Sequence, residues 1–182
     1  MTQLSSFSDA DAELIVSLPY RAGLYVSYAD DEDGERDDEL EMRAMQACLN
    51  EVSKMHEGQA LTSEIAASIL SRQDQWDAWS QGVFQIEPLC EKAVLALKKQ
   101  ATDDEVKDYI KLILELSSAV AQAYGEFGED PAPEKGFFGK AMSKIVGGFS
   151  GMSSDDINHP MNVSAAEDSA IARIAGALRK NK

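Results

Sequence analysis

Apolar residues recur every three to four positions through most of this 182-residue chain, and no strand-like alternation competes with that period. Ser8 before Asp9, Ala10 and Asp11 reads as an N-cap with acids in the first turn. Leu14, Ile15 and Leu18 then give a short first helix up to Pro19. Proline suits the first helical position, so Pro19 is expected to open a second helix through Leu24, Tyr25 and Tyr28 to about Ala29. From about Asp37 the periodic set Met42, Met45, Leu49 and Val52, with Cys48, predicts a helix to about His56, stopped near Gly58.

Thr62 to Arg72, with Ile65, Ile69 and Leu70, predicts another amphipathic helix. The stretch from Gln73 to Gln100 carries Trp76, Trp79, Val83, Phe84, Leu89, Val94 and Leu97, and Pro88 is expected to break or kink it. Trp76, Trp79 and Phe84 are read as core, because aromatic residues at helical spacing are core far more often than a ligand groove. Thr102 with Glu105 forms a capping box, opening a long helix whose face is Val106, Ile110, Ile113, Leu114, Ser117, Ala121 and Tyr124. Residues 125–163, rich in Gly, Pro and charge, read as an irregular insertion between helices. Ser164 and Glu167 form a second capping box, opening a terminal helix with Ile171, Ile174, Ala175 and Leu178 on one face.

The expected architecture is therefore all-α: one domain over residues 1–182, with seven to eight helices arranged as paired hairpins. The length fits a single core, and 44% hydrophobic against 7% aromatic residues favours helices. A net charge of -15 argues against nucleic acid as a partner, because phosphate binding needs clustered Lys and Arg. The first residues have no basic start or apolar core of a secretion signal, and no apolar run reaches membrane-spanning length, so a cytoplasmic location is expected. Cys48 and Cys90 lack C-x-x-C spacing and read as buried free thiols. His56 and His159 stand alone, without zinc-hydrolase spacing, and no nucleophile-elbow, Walker or dinucleotide-binding pattern occurs; no catalytic residue is nominated.

The charge is concentrated. Residues 30–41 hold nine carboxylates against Arg36 alone, a net -8 of the chain's -15. Hard divalent cations favour several oxygen ligands, and a helix-turn-helix supplies them when acids leave one helix, Gly34 allows a sharp bend and the next helix returns Glu39. The EF-hand template fails here: with Gly34 at its sixth position, Asp31 and Asp33 fit, but Ala29 and Leu40 fall at the first and twelfth. Charge runs are also often solvated, and Asp37, Asp38 and Glu39 would favour a helix N-terminus with no metal. Both readings stay open on the residues alone.

Ala22 to Asp30, followed by Asp33-Gly34-Glu35-Arg36-Asp37-Asp38-Glu39, resembles the TerB-like tellurite-resistance family, whose members carry an apolar helix, an Asp-Gly turn and a Glu opening the next helix. Val163 to Ile171 is similar to that family's second hairpin, and the resemblance spans roughly residues 20–56 and 106–179. Tyr28-Ala29-Asp30 is also echoed by Tyr124-Gly125-Glu126, as a weak internal duplication would give. The resemblance implies a proposed metal site shared by the two hairpins, with Asp30, Asp33, Glu39, Glu126 and Glu167 as ligands and calcium or magnesium as the cation. It implies a non-enzymatic stress-response sensor or scaffold.

The alternative expectation is a protein-interaction module without metal. In it the acidic turn contacts a basic protein partner and the stripe Phe137, Phe138, Ala141, Met142, Ile145, Val146 and Phe149 supplies an apolar anchor, or touches a membrane surface transiently. Such stripes more often pack on their own core.

Overall fold

The structure is a computed structural model, and it describes residues 2–30, 38–56, 58, 60–126 and 163–180. Among the described residues every regular element is helical: α1 (Asp9–Ser27), α2 (Asp38–Met55), α3 (Ala60–Ser71), α4 (Trp76–Ser80), α5 (Ile86–Leu97), α6 (Asp103–Glu126) and α7 (Ala165–Arg179), with short 3-10 turns between them. The all-α expectation holds, and the insertion expected at 125–163 lies almost wholly outside the described residues. No described helix is long and apolar enough to cross a membrane.

The helix starts follow the caps read from sequence. Ser8 Oγ accepts the Asp11 amide, and Ser164 and Glu167 form a reciprocal capping box. Thr102 Oγ1 accepts the Glu105 amide at 3.3 Å, while the Glu105 carboxylate accepts the Thr102 amide at 2.9 Å. The same carboxylate accepts the Thr2 amide and hydroxyl, each at 2.8 Å, tying the N-terminal segment to α6.

Pro19 corrects the expectation of two separate helices, since α1 runs through it without a stop. A proline in a helix interior has no N–H for the carbonyl four residues back, which here belongs to Ile15. That carbonyl accepts the hydroxyl of Tyr109 at 2.9 Å instead, from a side chain buried in α6. A long-range donor therefore fills the place of the missing helical one, and α1 continues.

Helix α1 is the centre of the packing, in contact with all six other helices. Ile15 meets Tyr109, and a Cβ at Gly23 would lie 3.3 Å from Val120, so α1 and α6 run parallel. Phe84 and Tyr28 form a ring contact at 5.9 Å while Lys99 reaches Asp11 at 3.7 Å, so α5 runs back along α1. Pro88 sits in the first turn of α5, where its missing N–H costs no helical bond, so it does not break the stretch as expected. The break falls at Gly82, whose φ of 75° is left-handed.

Trp76 and Trp79 are core, as expected: Tyr20 stacks on Trp76 at 4.7 Å, and the Trp79 indole donates to Glu13 at 2.7 Å. Phe84 is the correction, for it is 75% exposed. It lies in the 3-10 turn Val83–Gln85 after Gly82, where the helical period that would turn it inward is interrupted. Cys48 and Cys90 are both fully buried free thiols, pushed up to about 12 by loss of solvent.

Candidate functional site

One layer of the bundle fixes where the acidic segments lie. At Gly23 the absence of a side chain lets the Met45 methyl approach; a Cβ there would stand 2.8 Å from Met45 Cε and 3.3 Å from Val120 Cγ2. Thus α1, α2 and α6 meet at Gly23, Met45 and Val120. Past the end of α2, His56 bonds Glu115, which precedes Val120, so α2 runs opposite to α6.

The expected site positions can be placed from this layer. Asp30 ends the 3-10 turn that extends α1, and Glu126 is the last residue of α6; each lies roughly two turns beyond the layer in the same direction. Glu39, in the first turn of α2, lies roughly two turns from Met45 toward that same end. Helix α7 packs on the turn Tyr28–Asp30, and its salt links Arg173–Glu87 and Lys180–Glu91 set it parallel to α5, so its N-terminal turn belongs to this end too. The fold thus brings the backbones of Asp30, Glu39 and Glu126 and the start of α7 to one pole of the bundle. Asp33 lies outside the described residues.

Glu167 is described with its side chain. It is 1% exposed, and its Oε2 accepts the Ser164 amide at 2.9 Å while its own amide donates to Ser164 Oγ at 3.1 Å. The carboxylate therefore caps α7, and it does so in the interior, which is costly for an ionised group unless it is well satisfied. Among the described side chains no group of three or more His, Cys, Asp or Glu is gathered as a metal would need. Of the five expected ligands, Glu167 is the one whose side chain falls among them.

Sequence reasoning missed a second buried polar group. His56 and Glu115 are each 1% exposed, with Nε2 and Oε2 2.7 Å apart. The signal was present in the α2 stripe: His56 stands four residues after Val52, at the next inward position after Met45, Leu49 and Val52. Polar residues on an inward stripe need a partner, and Glu115 supplies it.

No protein-family profile, curated protein or solved structure matches the chain.

Proposed function

We propose that this protein is a non-enzymatic, TerB-like stress-response sensor or scaffold that binds a divalent cation, calcium or magnesium, with carboxylates from two helical hairpins. The single observation that supports it is topological. Asp30 and Glu39 flank the acidic segment in sequence, Glu126 and Glu167 stand at the ends of α6 and α7, and all four belong to helix ends at one pole of the bundle. Segments far apart in sequence thus end on the same side of the bundle. Asp33, between Asp30 and Glu39 in sequence, completes the ligand set that the resemblance implies. Oxygen donors from several helix ends suit a hard cation, which needs many ligands and tolerates loose geometry when it is calcium.

Calorimetric titration of the folded chain with calcium and with magnesium tests the proposal. Saturable heat is expected, abolished by Asp33→Asn combined with Glu39→Gln. Flat titrations of the wild type would sink it.

A second reading, a protein-interaction module for a basic partner, is favoured by one observation. Phe84 is 75% exposed and touches Tyr28, so an uncovered aromatic ring lies beside the turn that leads into the acidic segment. An aromatic anchor next to dense negative charge suits a Lys-rich segment carrying one apolar side chain. Salt-sensitive binding of one purified partner, lost in Phe84→Asp and kept in Asp33→Asn, would favour this reading over the metal.

A further inference from the structure

The His56–Glu115 contact lies away from the acidic pole, at the junction of three helices. The His56 amide donates to Val52 at 3.3 Å, closing the end of α2, and its carbonyl accepts the Ser63 hydroxyl of α3 at 2.7 Å. Its ring reaches Glu115 on α6. Both side chains are 1% exposed, and 2.7 Å lies at the short end expected for a bond between an imidazolium and a carboxylate. Buried charges persist when paired, and a carboxylate this deep needs a cation close by.

Two basic groups face that carboxylate. His56 Nε2 is 2.7 Å from Oε2, and on α6 Lys111 Nζ pairs with Oε1 at 3.6 Å from a side chain that is 47% exposed, so His56 is the nearer and the fully buried of the two. On α3 the one titratable residue is Glu64, whose carboxylate accepts the Leu4 amide. In the last turns of α2, Lys54 pairs with Glu51 at 2.6 Å on the surface.

We propose that His56 and Glu115 form a proton-operated latch: the imidazolium, held by the buried carboxylate, ties the C-terminal end of α2 and the start of α3 to α6, and loss of its proton reduces the ion pair to a neutral donor on a carboxylate and weakens that tie. The inference does not rest on the metal reading, though α2 also carries Glu39 at its other end. The latch requires that the carboxylate favour the imidazolium by more than burial of the ring disfavours it. Its contribution is then fully present below the unfolded value near ~6.5 and is lost as pH rises through the higher folded value.

The test uses the full chain labelled with 15N-histidine, with His159→Gln to assign the two rings. At pH 7 both His56 ring nitrogens are expected to be protonated, with titration above that of His159. Amide protection factors across residues 52–66 should fall at least tenfold as His56 titrates, while those in the middle of α5 stay constant. Glu115→Gln should move the titration to lower pH. A His56 ring with one protonated nitrogen at pH 7, or protection in 52–66 that does not change across its titration, would overturn the latch. Both readings come from the chain with Glu115 intact, so the outcome stands even if Glu115→Gln does not fold.

Discussion

Removing the Tyr109 hydroxyl tests whether a distant side chain sustains α1 across Pro19. In Tyr109→Phe the ring keeps its volume in a fully buried position, so packing changes little and the main loss is the donor to Ile15. Burial holds the Tyr109 hydroxyl well above its usual range, so it remains a donor throughout ordinary assay conditions. The Ile15 carbonyl is then left inside the protein with neither a helical nor a side-chain donor, which costs about 1–3 kcal/mol. Pro19→Ala restores the amide that would donate to Ile15, so Tyr109→Phe should cost about 1 kcal/mol or less in that background. From the middle of that range, about 2 kcal/mol, the coupling between the two positions is expected to be about 1 kcal/mol, above the ~0.3–0.5 kcal/mol scatter of independent sites. Urea unfolding of the four proteins, followed by helical circular dichroism with unchanged m-values, measures it. An equal cost of Tyr109→Phe with Pro19 and with Ala at position 19 would refute the substitution of one donor for the other.

Three further outcomes follow from the rest of the fold. Glu105 is held down to about 2, first by the Thr102 amide and next by the Thr2 amide. Its contribution is therefore present above the ordinary 4.5 and lost as pH falls toward 2; Glu105→Gln should cost about 1 kcal/mol at pH 7 after allowance for solvent screening, and nothing near pH 2. Cys48 and Cys90, buried and pushed up to about 12, should react with a thiol reagent in the native protein only as fast as the chain opens, and at once in denaturant. Gly176 is helical and a Cβ there meets nothing within 4 Å, so Gly176→Ala should stabilise the protein by about 0.5–1 kcal/mol in thermal unfolding.

Helices and caps were legible in the sequence because they depend on neighbours three and four residues away. Ser8, Thr102 and Ser164 each announced a start that the fold keeps. Pro19 was misread because its rescue comes from Tyr109, ninety residues on, and no local pattern carries that information. Phe84 was misread because left-handed Gly82 breaks the helical phase just before it. Legibility of the candidate site had the same boundary. The acidic turn could be seen as a run of charge, and His56 could be seen on a stripe, but neither the common pole of Asp30, Glu39 and Glu126 nor the pairing with Glu115 exists until α1, α2 and α6 are packed.

The acidic pole also sets an electrostatic problem that distinguishes the two functional readings. Helices α1 and α6 end there with their partial negative charge, while α2, α5 and α7 begin there with their partial positive charge, so the helices leave an excess of one N-terminus, about half a positive charge. The net -8 of residues 30–41 far exceeds it. Any added salt should therefore stabilise the fold by screening, to an extent set by ionic strength alone. A cation bound at a defined site adds a second contribution that depends on its own concentration, about 2.7 kcal/mol at one hundred times its dissociation constant. Thermal unfolding in calcium or magnesium chloride, compared with sodium chloride at equal ionic strength, separates the two. A divalent excess that saturates and disappears in Asp33→Asn with Glu39→Gln is expected for the metal reading. Curves that coincide at every matched ionic strength would mean that the pole acts through its charge alone, as a surface for a basic partner requires.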